Sequence, residues 1–224
     1  MRIVPPDAGA ELSAARRIRN AALRSFADHG VYATSMRRVA RLAKVSVGLV
    51  QYYFKSKGGL RRAVDKFVLD LAMRALGKPV GEGSAEAVST EIAAHIVELL
   101  RSHPHAVAYA RRSLLEADRT SFVLFDTLFE LVRSQLKELA ARGLLRDDID
   151  LDWAALHVIF VNVGPILLEP AVNRHFDHPL LSDEGLDRFQ KNASALFLYG
   201  LYKHEPRTDT PGTSQEGARK ERSS

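Results

Sequence analysis

Apolar residues recur at steps of three and four along nearly the whole chain, and long alternating Val/Ile/Thr runs are missing. That spacing gathers side chains on one face of an α-helix, whereas a half-buried strand needs a period of two. An all-α fold is therefore expected. Ala15, Ile18, Ala22 and Phe26 form the first stripe, and Gly30 suits the left-handed position that ends a helix. Thr34 is placed to cap a short helix with Met36, Val39, Ala40 and Ala43 on its apolar face. Ser46 can cap a second, carrying Val50 and Phe54. Ser56 can cap a longer one with Leu60, Val64, Phe67 and Leu71 aligned.

The run GKPVGEGSAE after Leu76 is the expected domain boundary, since Gly, Pro and Ser punctuate periodic segments. Helical pattern resumes with Ile92, Ile96 and Leu99, breaks at His103-Pro104, and continues through Val107, Ala110 and Leu114. Phe122, Phe125, Phe129, Val132, Leu136 and Leu139 make the most regular stripe, which should end near Gly143. Asp150 suits the cap of a helix whose stripe is Trp153, Leu156, Phe160 and Leu167, with Pro165 expected to kink or interrupt it. Leu186, Phe189, Ala193, Phe197, Gly200 and Leu201 mark a last helix. The expected organisation is a flexible arm over residues 1–11, a first domain with connecting helix over 12–76, a larger helical domain over 77–204, and a disordered tail over 205–224.

With no cysteine, the chain offers no disulfide, zinc-thiolate site or thiol nucleophile. The start lacks the apolar segment of a signal peptide. The longest apolar stretch, residues 158–168, is too short to span a membrane. A cytoplasmic protein without membrane contact is expected. The net charge of +5 is unevenly spread: residues 1–76 hold 15 Lys/Arg against 5 Asp/Glu, and the remainder holds 17 against 22. A basic module on an acidic carrier points to a polyanion partner for the first segment.

Two short helices joined at Lys44-Val45 make a helix-turn-helix pattern. With Val50 and Phe54 turned inward on the second, Val47, Gly48, Gln51 and Tyr52 face outward and Tyr53 sits at the edge. Val47 and Gln51 are four apart, so both can enter a major groove, and a Gln amide can bond adenine through two hydrogen bonds. Gly48 costs about 1 kcal/mol in a helix interior relative to Ala, which makes sense where a backbone must approach another surface. Tyr hydroxyls and Lys57 can hold phosphates. Arg37 and Arg38 lie in an opening turn, where the helix dipole disfavours cations unless phosphates come near. The N-termini at Thr34, Ser46 and Ser56 offer free N–H groups to the same anions.

From residue 18 to residue 60 the chain resembles the TetR family of bacterial transcriptional regulators. The residues that carry this are Phe26, Gly30, Thr34-Ser35-Met36, Val39-Ala40, Ala43 and the run from Val45 to Leu60, VSVGLVQYYFKSKGGL. The resemblance implies a homodimer that binds a near-palindromic operator in double-stranded DNA, with a small-molecule pocket in a helical C-terminal domain that also dimerises. By position in the motif it implies phosphate contacts for Thr34, Arg37, Tyr52, Tyr53 and Lys57, and base contacts for Val47, Gly48 and Gln51. The family commonly has tyrosine at the position of Gln51 and a small residue, usually glycine, at that of Lys44.

His103 and His105, like His175 and His178, lack the third and fourth ligands of a metal site, so no metal is expected. Zinc-protease, Walker, GxSxG and dinucleotide fingerprints are missing, so neither an enzyme nor a cofactor is expected. Tyr109, Arg112, Phe125, Phe129, Trp153, His157 and Asn162 are the candidates to line an effector pocket, because they set aromatic or polar groups on apolar helices. The effector should be small and mostly apolar, and its binding should release a repressor from DNA. The rival is a helical enzyme or carrier whose basic patch binds an anionic substrate. A third possibility is a nonspecific DNA-architectural protein. The last two long helices, through Phe197 and Leu201 among others, are expected to dimerise.

Overall fold

The computed structural model describes residues 8–77, 81–116 and 119–202. Among these residues the chain is all-α, with ten helices and one isolated bridge between Leu145 and Tyr202. The expected tail and most of the expected arm lie outside the described residues. The helix α1 (Ala8–Ala33) begins inside the segment expected to be the arm, and Gly30 breaks its geometry at φ +79°. The short α2 (Met36–Ala43) and α3 (Val47–Phe54) follow, then α4 (Lys57–Leu76). Four helices come next: α5 (Ala85–Ser102), α6 (Pro104–Glu116), α7 (Arg119–Ala141) and α8 (Leu151–Leu167). A single turn, α9 (Glu169–Val172), and α10 (Asp183–Leu201) complete the described fold.

The caps explain most of these boundaries. Ser46, Ser56, Ser84 and Ser182 each accept the amide of the third residue ahead, and Asp150 accepts from Asp152 and Trp153. Satisfying such an orphan amide contributes about 1 kcal/mol per helix. The expected cap of α2 needs correction. Ser35 fills that role, accepting from the Arg38 amide at 3.2 Å, because the Thr34 hydroxyl is turned into the core.

The first core joins Ile18, Ala22 and Phe26 of α1 to Val39, Val50 and Leu60, and includes Ala106 and Tyr109 of α6. Phe26 is fully buried, so Phe26→Ala should cost about 3–5 kcal/mol. A second core packs Val132, Leu136 and Leu139 of α7 against Ala154, Ala155 and Ile159 of α8. The sequence stripe on α8 is thereby overturned: Trp153 is 58% exposed and Phe160 53%, while small residues meet α7. The alanines of α8 seat the larger Val132, Leu136 and Leu139 of α7, which leaves the bulky α8 side chains outside. On α10, Leu186 and Ala193 are buried and Phe197 and Leu201 turn inward, whereas Leu196 and Tyr199 are exposed. The monomer's own packing therefore claims Phe197 and Leu201, and the exposed apolar face of α10 is the other one.

Candidate functional site

Between Asp28 and Asp65 the chain carries eight Lys/Arg and no acidic residue. The caps and two unusual turns fold this segment into a helix-turn-helix. Lys44 ends α2 in the left-handed region (φ 55°, ψ 49°), with its amide bonded back to Ala40 and Arg41. A non-glycine residue there is held about 1 kcal/mol above its preferred backbone basin. Lys55 ends α3 at φ 61°, ψ −49°, the centre of a γ-turn closed by Ser56 N–H to Phe54 O at 2.6 Å. The next helix then starts so close that a Cβ on Gly59 would lie 2.1 Å from Phe54 O. Glycine is the residue this junction tolerates.

On α3, Gly48, Gln51 and Tyr52 are exposed, and a Cβ on Gly48 would meet nothing nearer than Ser46 Oγ at 3.9 Å. Val47 is half-buried and packs against the first core, so it is less outward than its spacing suggested. Val50 is fully buried and holds the helix down. Tyr52 and Tyr53 meet edge to face at 5.2 Å, and Lys55 Nζ lies 5.6 Å from the Tyr52 ring. Lys57, at the start of α4, donates to the Tyr32 carbonyl at 3.0 Å, which ties α4 to the end of α1.

Around α2, Arg37 is exposed, while Arg38 Nη2 donates to His29 Nε2 at 2.6 Å. Thr34 is 1% exposed. Its hydroxyl donates to the carbonyls of Gly30 (2.9 Å) and Ser25 (3.1 Å) and lies 3.0 Å from Ser25 Oγ. That side chain has no surface to offer a phosphate, which removes it from the expected contact set. Tyr32, 82% exposed beside Lys57, was not singled out in the sequence. Its position two residues after the helix-breaking Gly30 was the available signal.

A cavity of about 180 Å³ lies between α4, α5, α6, α7 and α8. Its walls include Val68, Ile96, Val107, Leu128, Val158 and Ile166, and its polar groups are Arg111, Thr127, Gln135 and Asn162. Among the seven residues expected to line a pocket, Asn162 borders this space. Tyr109 is buried in the first core, 6.2 Å from the Phe26 ring, and its phenol bonds Asp65 of α4. Burial, with Asp65 beside it, pushes the phenol pKa up and keeps it protonated. Arg112 reaches back to α1, donating to the carbonyls of Ala27 (3.3 Å) and Asp28 (3.4 Å). Phe125 and Phe129 pack in the second core, and Trp153 and His157 lie on the outer face of α8. Arg111, Thr127 and Gln135 were missed, because periodicity shows which face of a helix is apolar and not where helices stand apart. No group of three metal-ligating side chains occurs among the described residues. No described helix is long and apolar enough to cross a membrane.

Residues 18–64 match the family model of the bacterial regulatory proteins of the tetR family. Over 159 residues the chain is 28% identical to the HTH-type transcriptional regulatory protein RaaS of Mycobacterium tuberculosis, covering 71% of this chain and 72% of that protein. Its fold is similar to that of the fatty acid degradation regulator FadR from Bacillus halodurans, with a TM-score of 0.68 at 15% identity over 82% of this chain and 94% of the other. It is also similar to TylP, a TetR regulator from Streptomyces fradiae, with a TM-score of 0.65 at 19% identity over 88% and 89%. At such identities the two structures speak for the fold, while the matched segment and the regulator relative speak for the family. Both lines converge: residues 18–64 match the tetR family's segment, and the chain is similar to transcriptional regulators of that family in sequence and in fold.

Proposed function

We propose that the chain acts in the cytoplasm as a homodimeric repressor that leaves its operator when a small, mostly apolar effector enters the cavity. Residues 12–76 serve as the DNA-binding unit and residues 77–204 as the effector and dimer unit. Val47, Gly48 and Gln51 face bases in the major groove, while Arg37, Arg38, Ser46, Tyr52, Tyr53 and Lys57 hold phosphates. The face of Trp153 and Phe160 on α8 with Leu196 and Tyr199 on α10 supplies the dimer contact. Each of these four large apolar side chains is more than half exposed, and Gly200 on α10 has open space around it.

The observation that carries this reading is that α4 and α6 wall the cavity and also grip α1 and the helix-turn-helix. A guest that moves either helix changes the aim of α3. In a two-fold dimer, that alters the distance between the two recognition helices, which must match half-sites about one DNA turn apart. The effector favours the wrongly spaced state only by binding it more tightly.

A gel shift with the upstream intergenic DNA against scrambled competitor tests the reading, followed by selection of bound sequences. A near-palindromic site is expected, and a reporter driven from it should be silenced by the protein. Equal binding of scrambled DNA would favour an architectural protein or an anion-binding carrier. Gln51→Ala should relax base preference, with about 1–3 kcal/mol at stake in a bidentate contact, whereas Arg37→Ala should weaken all sequences alike.

A further inference from the structure

A second, smaller cavity of about 60 Å³ adjoins the first, and both border Ile92, Ile96, Val132, Gln135, Val158 and Asn162. The two spaces differ in chemistry. In the larger one, the polar groups are already engaged: Arg111 pairs with Glu169, and Thr127 donates to the Val123 carbonyl at 2.7 Å. The smaller one is bordered by Ser89, Gln135, Asn162, Gln190, Ser194 and Tyr202, and none of these carries a charge at neutral pH.

The donors of the two shared amides are turned onto backbone. Gln135 Nε2 bonds the Leu76 carbonyl, and Asn162 Nδ2 bonds the Val158 carbonyl at 2.8 Å. Gln190 Nε2 donates to Ser194 Oγ at 2.8 Å, which leaves Gln190 Oε1 buried without a hydrogen-bond partner. Burial pushes the Tyr202 phenol up to about 12, so it stays a neutral donor. The nearby cation, Arg142, is turned to the Gly81 carbonyl and does not border the cavity. A buried orphan acceptor costs free energy until something donates to it. A charged group entering that space would find no counter-charge and would lose its hydration.

Taking the cavity as the effector site, as proposed above, we infer that its ligand is an uncharged amphipathic molecule. Its apolar body fills the larger cavity, and a neutral hydroxyl or comparable hydrogen-bonding head enters the smaller one to meet Gln190, Gln135 and Asn162. The size is modest, since an apolar cavity of about 150 Å³ takes a single benzene ring. A carboxylate, phosphate or ammonium head is excluded by the same geometry.

The test is calorimetry of the full-length protein at neutral pH with 1-octanol, octanoate and octylammonium, which share a chain and differ in head charge. The alcohol should bind more tightly than either ion by about tenfold or more. Gln190→Leu should weaken the alcohol by about fivefold while the melting temperature holds or rises, because the orphan oxygen is gone. A residue with only a structural role would lower the melting temperature instead. If octanoate or octylammonium matches the alcohol, the neutral-head inference falls and the cavity stands as a ligand site. Unchanged alcohol affinity in Gln190→Leu overturns the placement of the head. No heat and no thermal shift with any of the three overturns both the inference and the reading beneath it.

Discussion

The phenol of Tyr109, on α6, donates a hydrogen bond to the carboxylate of Asp65, on α4. Arg61 shares the same carboxylate at 3.9 Å, so three side chains lock the two helices that wall the cavity on the DNA-binding side. Tyr109→Phe keeps the buried ring and removes the lock. Stability should fall by about 1–2 kcal/mol, the cost of leaving a half-buried acceptor short of one donor. Operator affinity without effector should change little, while the drop in affinity on adding effector should shrink. Gel-shift titrations with and without effector measure both; an undiminished drop would show that α4 and α6 are coupled elsewhere.

The junction of α3 and α4 offers a paired test. A Cβ on Gly59 would collide with the Phe54 carbonyl at 2.1 Å, whereas one on Gly58 would meet nothing nearer than 3.7 Å. Gly59→Ala should lower stability by about 1–3 kcal/mol and weaken operator binding, because α3 must shift. Gly58→Ala should be neutral, or stabilising by about 0.5 kcal/mol through helix propensity. Urea melts of the two variants side by side decide it. Equal melts would mean that the junction relaxes freely.

Faces of α10 can be separated by charge. Leu196→Glu lies on the exposed face, so the single chain should lose no more than about 0.5 kcal/mol, while the protein should sediment as a monomer with weak operator binding. Phe197→Glu would bury a carboxylate beside the smaller cavity and should unfold the protein at a lower temperature. A dimer that survives Leu196→Glu and Tyr199→Glu together would place the interface on another surface.

Alkaline pH should weaken the fold through Tyr202. Its folded pKa of about 12 stands above the ordinary phenol value of 10, because burial disfavours the phenolate. The folded state therefore keeps a proton that the unfolded chain gives up. The contribution is complete below pH 10 and fades as pH rises toward 12, amounting to about 2–3 kcal/mol over that window. Tyr202→Phe should flatten the decline in urea-derived stability between pH 10 and 11. A variant as alkali-sensitive as the parent would assign the loss to other groups.

The sequence was most legible where one residue's chemistry decides a local event. Ser46, Ser56 and Asp150 cap the helices they were expected to cap, and Gly30 and the His103-Pro104 break fall where backbone preference puts them. It was least legible where the choice belongs to a distant partner. Thr34 and Ser35 are both good caps, and Ser25 and the Gly30 carbonyl, folded back from α1, decide between them. Trp153 and Phe160 lie on the periodic stripe of α8, yet packing against α7 buries Ala154 and Ala155 instead. Of the pocket candidates, Asn162 reaches the cavity. Tyr109 and Arg112 fasten α6 to α4 and α1 instead, a task with the same residue types and the same spacing.

Just before Gly30 turns α1 out of helical geometry, Arg112 donates to the carbonyls of Ala27 and Asp28. A Cβ at Gly30 would rest against that same guanidinium at an ordinary contact distance of 3.5 Å, so the φ of +79° is what favours glycine there. The first helix is thus finished by a residue that lies more than eighty positions further along. Recombination between relatives that cuts after α4 would separate this end from its donor. A viable graft must carry Arg112 and Tyr109 with the helix-turn-helix it transplants, so the unit of exchange in this protein is larger than its DNA-reading segment.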